Sequence, residues 1–341
     1  MSAEQIQHPY DAILVVSFGG PEGMDDVMPF LDNVLRGRNI PQERKEEVAH
    51  HYASFGGVSP LNEQNRQLIA ALNEELRAHD LALPVYWGNR NWRPYLADTM
   101  RQMAADGITN ALAFITSAYS SYSGCRQYLE DIQRARAEVG PEAPQVSRLR
   151  KFYNHPGFIL PNRERLHTAL NQLPAEQREQ AHIAFTAHSI PLAMAKASRY
   201  EAQLHEACRL VMEGVEGDAH PWQLVYQSRS GSPHQPWLGP DICDHLRDLH
   251  GRDVSSVVIA PVGFISDHVE VLYDLDTEAR ACCEELGMTM VRAGTAGTHP
   301  LFVSMVRELI AERVRPGTPV RWLGTLGDNE DTCYEGCCLP A

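Results

Sequence analysis

The feature that most limits how this 341-residue chain can fold is an alternation that runs through its whole length. Short, apolar, β-rich runs are each followed by a longer stretch with helical spacing. The runs are "AILVVSFG" (12–19), "LPVYWGN" (83–89), "ALAFITSA" (111–118), "RLRKFYN" (148–154), "HIAFTAH" (182–188), "WQLVYQS" (222–228), "SSVVIAPVG" (255–263) and "MTMVRAG" (288–294). Stretches such as 62–79 and 197–215 between them read as helices. A strand that is apolar on both faces must be covered on both faces, which a parallel sheet flanked by helices provides. Eight runs in two groups of four predict an α/β protein with two Rossmann-like lobes, each a four-stranded parallel sheet, rather than one barrel. The expected units are an N-terminal lobe over 8–152, a C-terminal lobe over 153–315 and a cysteine-bearing tail over 316–341.

Charge narrows the partners. The formal net charge is −14, which argues against nucleic acid as a partner for the surface as a whole. The first twenty residues lack a basic leader, and no stretch approaches the roughly 20 apolar residues of a membrane span. The expected location is cytoplasmic, with peripheral membrane contact left open. In that compartment structural disulfides are rare, so the eight cysteines are expected to be thiols or metal ligands.

In open α/β sheets, ligands sit beyond the carboxyl ends of the strands. Here those ends read "SFGGPEG", "GNRNW", "TSAYSSYSG", "TAHSIP", "YQSRSG" and "PVGFISDHVE". They are polar, Gly-rich and aromatic, as a cleft between lobes requires. "SFGGPEG" lacks the G-x-G-x-x-G spacing and no G-K-[ST] occurs, so neither standard nucleotide loop is present.

Two strand ends carry titratable groups. His188 closes the run "HIAFTAH", where an imidazole can exchange protons near neutrality; a satisfied strand-end histidine is the plainer alternative. "SDHVEVLYDLDTEA" follows the seventh run. A helix begun at Ser266 or Asp267 would place Asp267, Glu270, Asp274 and Glu278 at i, i+3, i+7 and i+11, on one face. Such a row is either a solvated acidic face or, in a cleft, a set of mutually raised carboxyls able to take protons or hold a divalent cation. Arg36 and Arg38 in "VLRGRNIP" are the clearest basic spot, suited to substrate carboxylates or simply to the surface. Near its end the chain crowds Cys333, Cys337 and Cys338 into "DTCYEGCCLPA", one thiol short of a four-cysteine site. Cys125 is the best-placed fourth. Spacing leaves a metal site and a merely thiol-rich tail equally open.

The motifs "SFGGPEG", "FGGVSPL", "NHPGF", "TAHSIP", "YQSRSG…PWLGP" and "SDHVEVLYDLD" occur in this order over nearly the whole chain. Together they resemble a ferrochelatase, and "GNRNW" and "TSAYSSYSGC" resemble the actinobacterial type, many of which act on coproporphyrin. The resemblance implies the chelatase fold and insertion of Fe²⁺ into a porphyrin with release of two protons, coproporphyrin III being favoured. It implies His188 and Glu270 as the catalytic pair, placed on opposite sides of the macrocycle, with Asp267, His268 and Asp274 as a path for metal or protons. It also implies Phe18, Arg36, Ser59 and Tyr128 as substrate-binding positions. Some coproporphyrin enzymes carry a tyrosine where Phe18 stands, which weakens an axial-ligand role for that loop. A structural or regulatory [2Fe–2S] cluster on Cys125, Cys333, Cys337 and Cys338 is implied too, as is possible handover to a downstream haem-pathway enzyme. A protoporphyrin IX ferrochelatase and a non-catalytic tetrapyrrole carrier are the alternative readings.

Overall fold

The computed structural model describes residues 9–37, 41–215, 220–230, 234–329 and 337–338. It contains two four-stranded parallel sheets. The first is built from β1 (Ala12–Ser17), β2 (Val85–Asn89), β3 (Asn110–Ile115) and β4 (Gln145–Arg148), in the order β2-β1-β3-β4. The second is built from β5 (His182–His188), β6 (Trp222–Gln227), β7 (Ser256–Ala260) and β8 (Thr289–Arg292), in the matching order β6-β5-β7-β8. The central strands β1 and β7 are buried at every residue, and β3 and β5 at all but one end residue, because helices cover both faces. The edge strand β8 is half-buried throughout and carries the polar Thr289 and Arg292.

Seven of the eight apolar runs overlap the sheet strands closely; the fourth does not. The strand is Gln145–Arg148, and the apolar residues of "RLRKFYN" mostly follow it. Leu149, Phe152 and Tyr153 leave the sheet and fill the interior. Phe152 stacks on Phe114 at 5.4 Å and meets Phe302 edge-on at 5.9 Å. Strand-like composition there reflects burial, not sheet pairing.

Helix α1 (Met24–Val34), α2 (Gln42–Ser54) and α3 (Leu61–Ala78) follow β1; α4 (Leu96–Ala105) follows β2 and α5 (Gln127–Val139) follows β3. Helix α3 buries Leu68, Leu72 and Leu76, a stripe at fourfold spacing. After β4, α6 (Pro156–Leu170) leads into the second lobe. The last long helix, Pro300–Val314, returns to the first, with Arg307 paired to Glu75 of α3 at 3.1 Å and Glu312 paired to Arg150 at 2.8 Å. One apolar cluster therefore runs through both lobes, from Ile13 and Leu72 to Phe185 and Leu309. Tyr119 adds a polar tie by donating to the carbonyl of Val262 at 2.9 Å. Among the described residues, no helix is long and apolar enough to cross a membrane.

Candidate active site

In each sheet the chain leaves the first strand for one side and later returns to the other. Between β5 and β7 this opens a crevice at the carboxyl ends of the strands. His188 is the last residue of β5, and the segment after β7 runs through the same crevice to Glu270. The two side chains meet there: His188 Nε2 lies 3.6 Å from Glu270 Oε2, and both are open to solvent. The expectation of opposite sides is corrected by this distance. A flat ring between two groups needs roughly 7 Å, twice an ordinary non-bonded contact of 3.5–4.0 Å. The imidazole and the carboxylate thus form one unit on one wall.

The ring of His188 is held by its other nitrogen. Nδ1 lies 2.5 Å from the carbonyl oxygen of Ser189, so Nδ1 carries the proton and donates. Nε2 is then the acceptor, and it is the atom facing Glu270. The strand's own carbonyl at His188 accepts from Tyr200 Oη at 3.0 Å, which fixes the strand end. His268 packs edge-on against Phe264 at 5.2 Å. Burial lowers the pKa of His268, against the charge of Glu270, so it stays neutral beside the pair.

Glu270 sits in a single α-turn, Val269–Val271, that continues as a π-helix over Leu272–Ala279. A π-helix within a longer helix is rare and is found frequently at functional sites. Asp274 and Glu278 follow Glu270 at steps of four along this wide turn. Asp274 accepts from Ser228 Oγ and, at 3.2 Å, from Gln227 Nε2, both at the carboxyl end of β6. Its pKa is raised to about 7, chiefly by burial and further by the charges of Glu270 and Glu278, against the lowering effect of the Ser228 hydrogen bond. Burial also raises Glu278, helped by Asp241. These last two groups reach a cavity of about 390 Å³ that is also lined by Cys243, Arg247, Cys282 and Glu285.

Asp267 does not join that row, because residues 261–268 are not helical and the expected spacing does not hold there. Arg292 donates to both of its carboxylate oxygens, at 3.1 and 3.3 Å, and also to Asp276 at 2.8 Å. The backbone of Asp267 exchanges two hydrogen bonds with the side-chain amide of Gln64 on α3, at 3.0 and 3.1 Å. Asp267 therefore anchors the loop and ties it to the first lobe. Arg292, a cation at a strand end, could have been picked out from sequence; Gln64 offers no signal there.

The expected substrate positions divide. Phe18 lies in an apolar cluster with Phe30, Tyr52, Trp92 and Val269, next to Glu270. Ser59 is buried against the loop after β1, where a Cβ at Gly20 would stand 2.6 Å from its own Cβ. Tyr128 is buried beneath the guanidinium of Arg90, 4.7 Å from the ring centre, and Arg90 pairs with Asp131 at 2.7 Å. Arg36 is exposed at the end of α1, donating to Asn33 at 2.5 Å, and Arg38 lies outside the described residues. Over the crevice, His51 of α2 stacks on Tyr273 of the π-helix with ring centres 3.6 Å apart, a contact the sequence did not signal.

The thiols gather elsewhere. Cys125 lies in a π-turn, Tyr122–Arg126, ahead of α5. Cys338 comes within hydrogen-bonding distance of it, and this contact, followed by burial, raises the pKa of Cys338. Cys337 Sγ is 3.5 Å from Cys338 Sγ. Cys333 lies outside the described residues. Among the described residues, no group of three or more His, Cys, Asp or Glu side chains is placed to hold a metal ion.

Two doubly wound lobes with matching strand orders, and an imidazole–carboxylate pair at the crevice of the second, define a two-lobed α/β protein of the chelatase kind. A family model described as Ferrochelatase matches residues 10–314, and the chain belongs to the ferrochelatase family. It is 53% identical to the "Coproporphyrin III ferrochelatase" of Streptomyces coelicolor, covering 97% of this chain and 93% of that protein. It is 55% identical to the "Ferrochelatase" of Rhodopirellula baltica, covering 97% and 94%. Among solved structures it resembles SirB from Bacillus subtilis with Fe³⁺, with a TM-score of 0.53 at 12% identity over 89% of this chain and 98% of that one. That likeness concerns the fold alone.

Proposed function

We propose that this protein inserts Fe²⁺ into coproporphyrin III, releasing two protons, as a step of haem biosynthesis. What carries the reading is the contact between His188 and Glu270, at 3.6 Å in a solvent-open crevice, in a chain that belongs to the ferrochelatase family. The names of relatives at about half identity over nearly the whole chain support coproporphyrin as the substrate. Each of its two additional propionates needs a cation or donor at the rim, which Arg36 can supply on one side.

Insertion removes two N–H protons from the macrocycle. His188, with Nδ1 holding its own proton against the Ser189 carbonyl, accepts through Nε2. Glu270 takes the proton onward, and Asp274, raised to about 7, is half-protonated near neutrality and so can both receive and release it. Glu278 and the cavity beside Asp241 lead to solvent. Both acceptors stand on one wall, so protons leave from one face and the other face is free for apolar contact. The protein works in the cytoplasm and delivers its product to the next haem-pathway enzyme.

The reading includes a [2Fe–2S] cluster on Cys125, Cys333, Cys337 and Cys338. What supports it is the approach of Cys338 to within hydrogen-bonding distance of Cys125, with Cys337 Sγ 3.5 Å from Cys338 Sγ. Iron insertion transfers no electron, so such a cluster, when bound, would supply a brace or a redox-sensitive element and not a catalytic step.

The test is an anaerobic Fe²⁺ insertion assay with coproporphyrin III and protoporphyrin IX. The expected result is at least about a tenfold higher kcat/KM for coproporphyrin, the worth of one good charge-assisted contact. His188→Ala and Glu270→Gln each lower turnover by about 100-fold or more with unchanged circular dichroism. Near-normal turnover in both variants rejects the assignment, and equal rates with the two porphyrins reject the substrate.

A further inference from the structure

Three buried polar side chains sit three residues apart on the helix Tyr200–Met212: Tyr200, Gln203 and Glu206 are 7%, 1% and 7% exposed. Steps of three keep them on one side of the helix, and a rise of about 1.5 Å per residue puts the first about 9 Å from the last. Each grips a different part of the chain. Tyr200 Oη donates to the His188 carbonyl at 3.0 Å, at the crevice end of β5. Gln203 accepts from the Ser120 amide at 2.7 Å and donates to Ser120 Oγ at 3.1 Å, in the loop after β3 of the first lobe. Glu206 accepts from the Thr325 amide at 2.7 Å, in the segment beyond the last helix.

That segment is docked on its other side by Asn154, which is fully buried. The Leu323 amide donates to the Asn154 carbonyl at 2.8 Å, and Asn154 Nδ2 donates to the carbonyls of Leu323 at 3.3 Å and Gly327 at 2.7 Å. Leu323 and Leu326 pack against the apolar cluster that runs through both lobes. Gly324 takes a left-handed φ of +78°, and a Cβ there would collide with Glu206 Oε1. A buried carboxylate is costly unless it is paired and hydrogen-bonded, and Arg209 at 2.9 Å together with the Thr325 amide meets that need.

At the other end of the helix, the peptide between His188 and Ser189 is held from both sides. Its carbonyl accepts from Tyr200, and its N–H donates to the Gln227 carbonyl at 2.8 Å. The next carbonyl, that of Ser189, takes the Nδ1 proton of His188 and so leaves Nε2 as the acceptor. A shift of the helix by more than about 0.5 Å takes the phenol out of hydrogen-bonding reach. Resting on the reading of His188 as the acceptor of porphyrin protons, we propose that the docked segment 323–327 is a strap that positions His188, acting through Glu206 and its helix on the Tyr200 hydroxyl. Glu206 is thus a positioning residue for iron insertion, and porphyrin binding does not depend on it.

The experiment measures three quantities in the full-length protein: single-turnover insertion of Fe²⁺ into coproporphyrin III without oxygen, porphyrin binding by fluorescence quenching, and hydrogen exchange over residues 188–191. Gly324→Ala changes only the strap and pushes it off Glu206. It should slow insertion about tenfold, a fraction of the roughly hundredfold that a 1 Å misplacement costs, with unchanged porphyrin Kd and faster exchange at 188–191. Glu206→Ala should do the same, and Glu206→Gln, which keeps an acceptor for the Thr325 amide, should recover most of the rate. Tyr200→Phe should slow insertion as much, and adding Gly324→Ala to it should cost nothing further, since both act through one hydroxyl. Full insertion rates in Gly324→Ala and Glu206→Ala overturn the proposal, and so do additive effects of Gly324→Ala and Tyr200→Phe. Should Tyr200→Phe fail to fold, exchange at 188–191 in Gly324→Ala decides, and unchanged protection there overturns the strap. A wild-type protein that inserts no iron rejects the porphyrin reading instead, and the same exchange comparison still decides on the strap.

Discussion

Asp274 offers the sharpest test of how the crevice is built. In the folded protein its carboxyl titrates at about 7, against 3.8 for an unperturbed aspartate, with burial as the main cause. The folded state therefore holds a proton that the unfolded chain has already lost. Stability from this proton is complete below pH 4 and disappears as pH rises through 7. At pH 5 the unfolded side chain is ionised and the folded one is protonated, two units below its folded pKa; at pH 8 both are ionised. At 1.36 kcal/mol per unit, the wild type should lose about 2–3 kcal/mol between pH 5 and 8 through this group. Asp274→Asn keeps the shape and can still accept from Ser228 and Gln227, but it does not titrate. Urea unfolding of both proteins at the two pH values isolates the effect. The variant should gain about 2–3 kcal/mol relative to wild type on going from pH 5 to pH 8. A stability difference that does not move with pH would show that Asp274 is ionised throughout, and the proton route drawn through it would fail with it.

The buried pair His182 and His245, with Nε2 atoms 3.1 Å apart, predicts the opposite pH response. Burial lowers His182 to about 4, so stability is lost as pH falls from 6.5 toward 4, by about 3 kcal/mol, and His182→Gln should flatten that acid limb in thermal melts. Gln64→Ala removes two hydrogen bonds between α3 and the Asp267 backbone and should cost about 1–2 kcal/mol in urea unfolding, while hydrogen exchange at Asp267 quickens. Arg292→Met leaves the half-buried Asp267 without its cation, while Asp276 keeps Arg280 at 3.7 Å, and should cost about 3 kcal/mol, with a larger fall in turnover than Gln64→Ala because the loop leading to Glu270 is released.

How far the sequence reaches is visible in particular residues. "HIAFTAH" predicts β5 residue for residue, because a short, mostly apolar run ending in a polar residue has few other solutions inside an α/β protein. "RLRKFYN" misleads for the same reason: its apolar residues are buried, but by packing between lobes, and composition does not distinguish the two. His188 and Glu270 are legible as strand-end and post-strand groups, yet their mutual distance is not, since it depends on how the segment 261–268 bends back across β5. The π-helix is equally hidden. It arises from hydrogen-bond register rather than residue type, and the non-helical segment 261–268 before it keeps Asp267 out of the row that a regular helix would have given it.

That register has a chemical consequence. In a regular helix begun at Asp267, four carboxylates would share one face and repel along its whole length. The structure breaks the row. Asp267 is neutralised by Arg292 outside the helix, Glu270 stands beside an imidazole, and Asp274 is buried and takes hydrogen bonds from Ser228 and Gln227. Each carboxyl meets a different environment, so one fold holds an anchored anion, an exposed acceptor and a carboxyl at about 7 within a few residues. A set of identical exposed carboxylates would bind a cation without direction. On the proposed route, a graded set would give protons an ordered way out, and in this arrangement the differing environments come from the bend before Val269 and the wide turn after it.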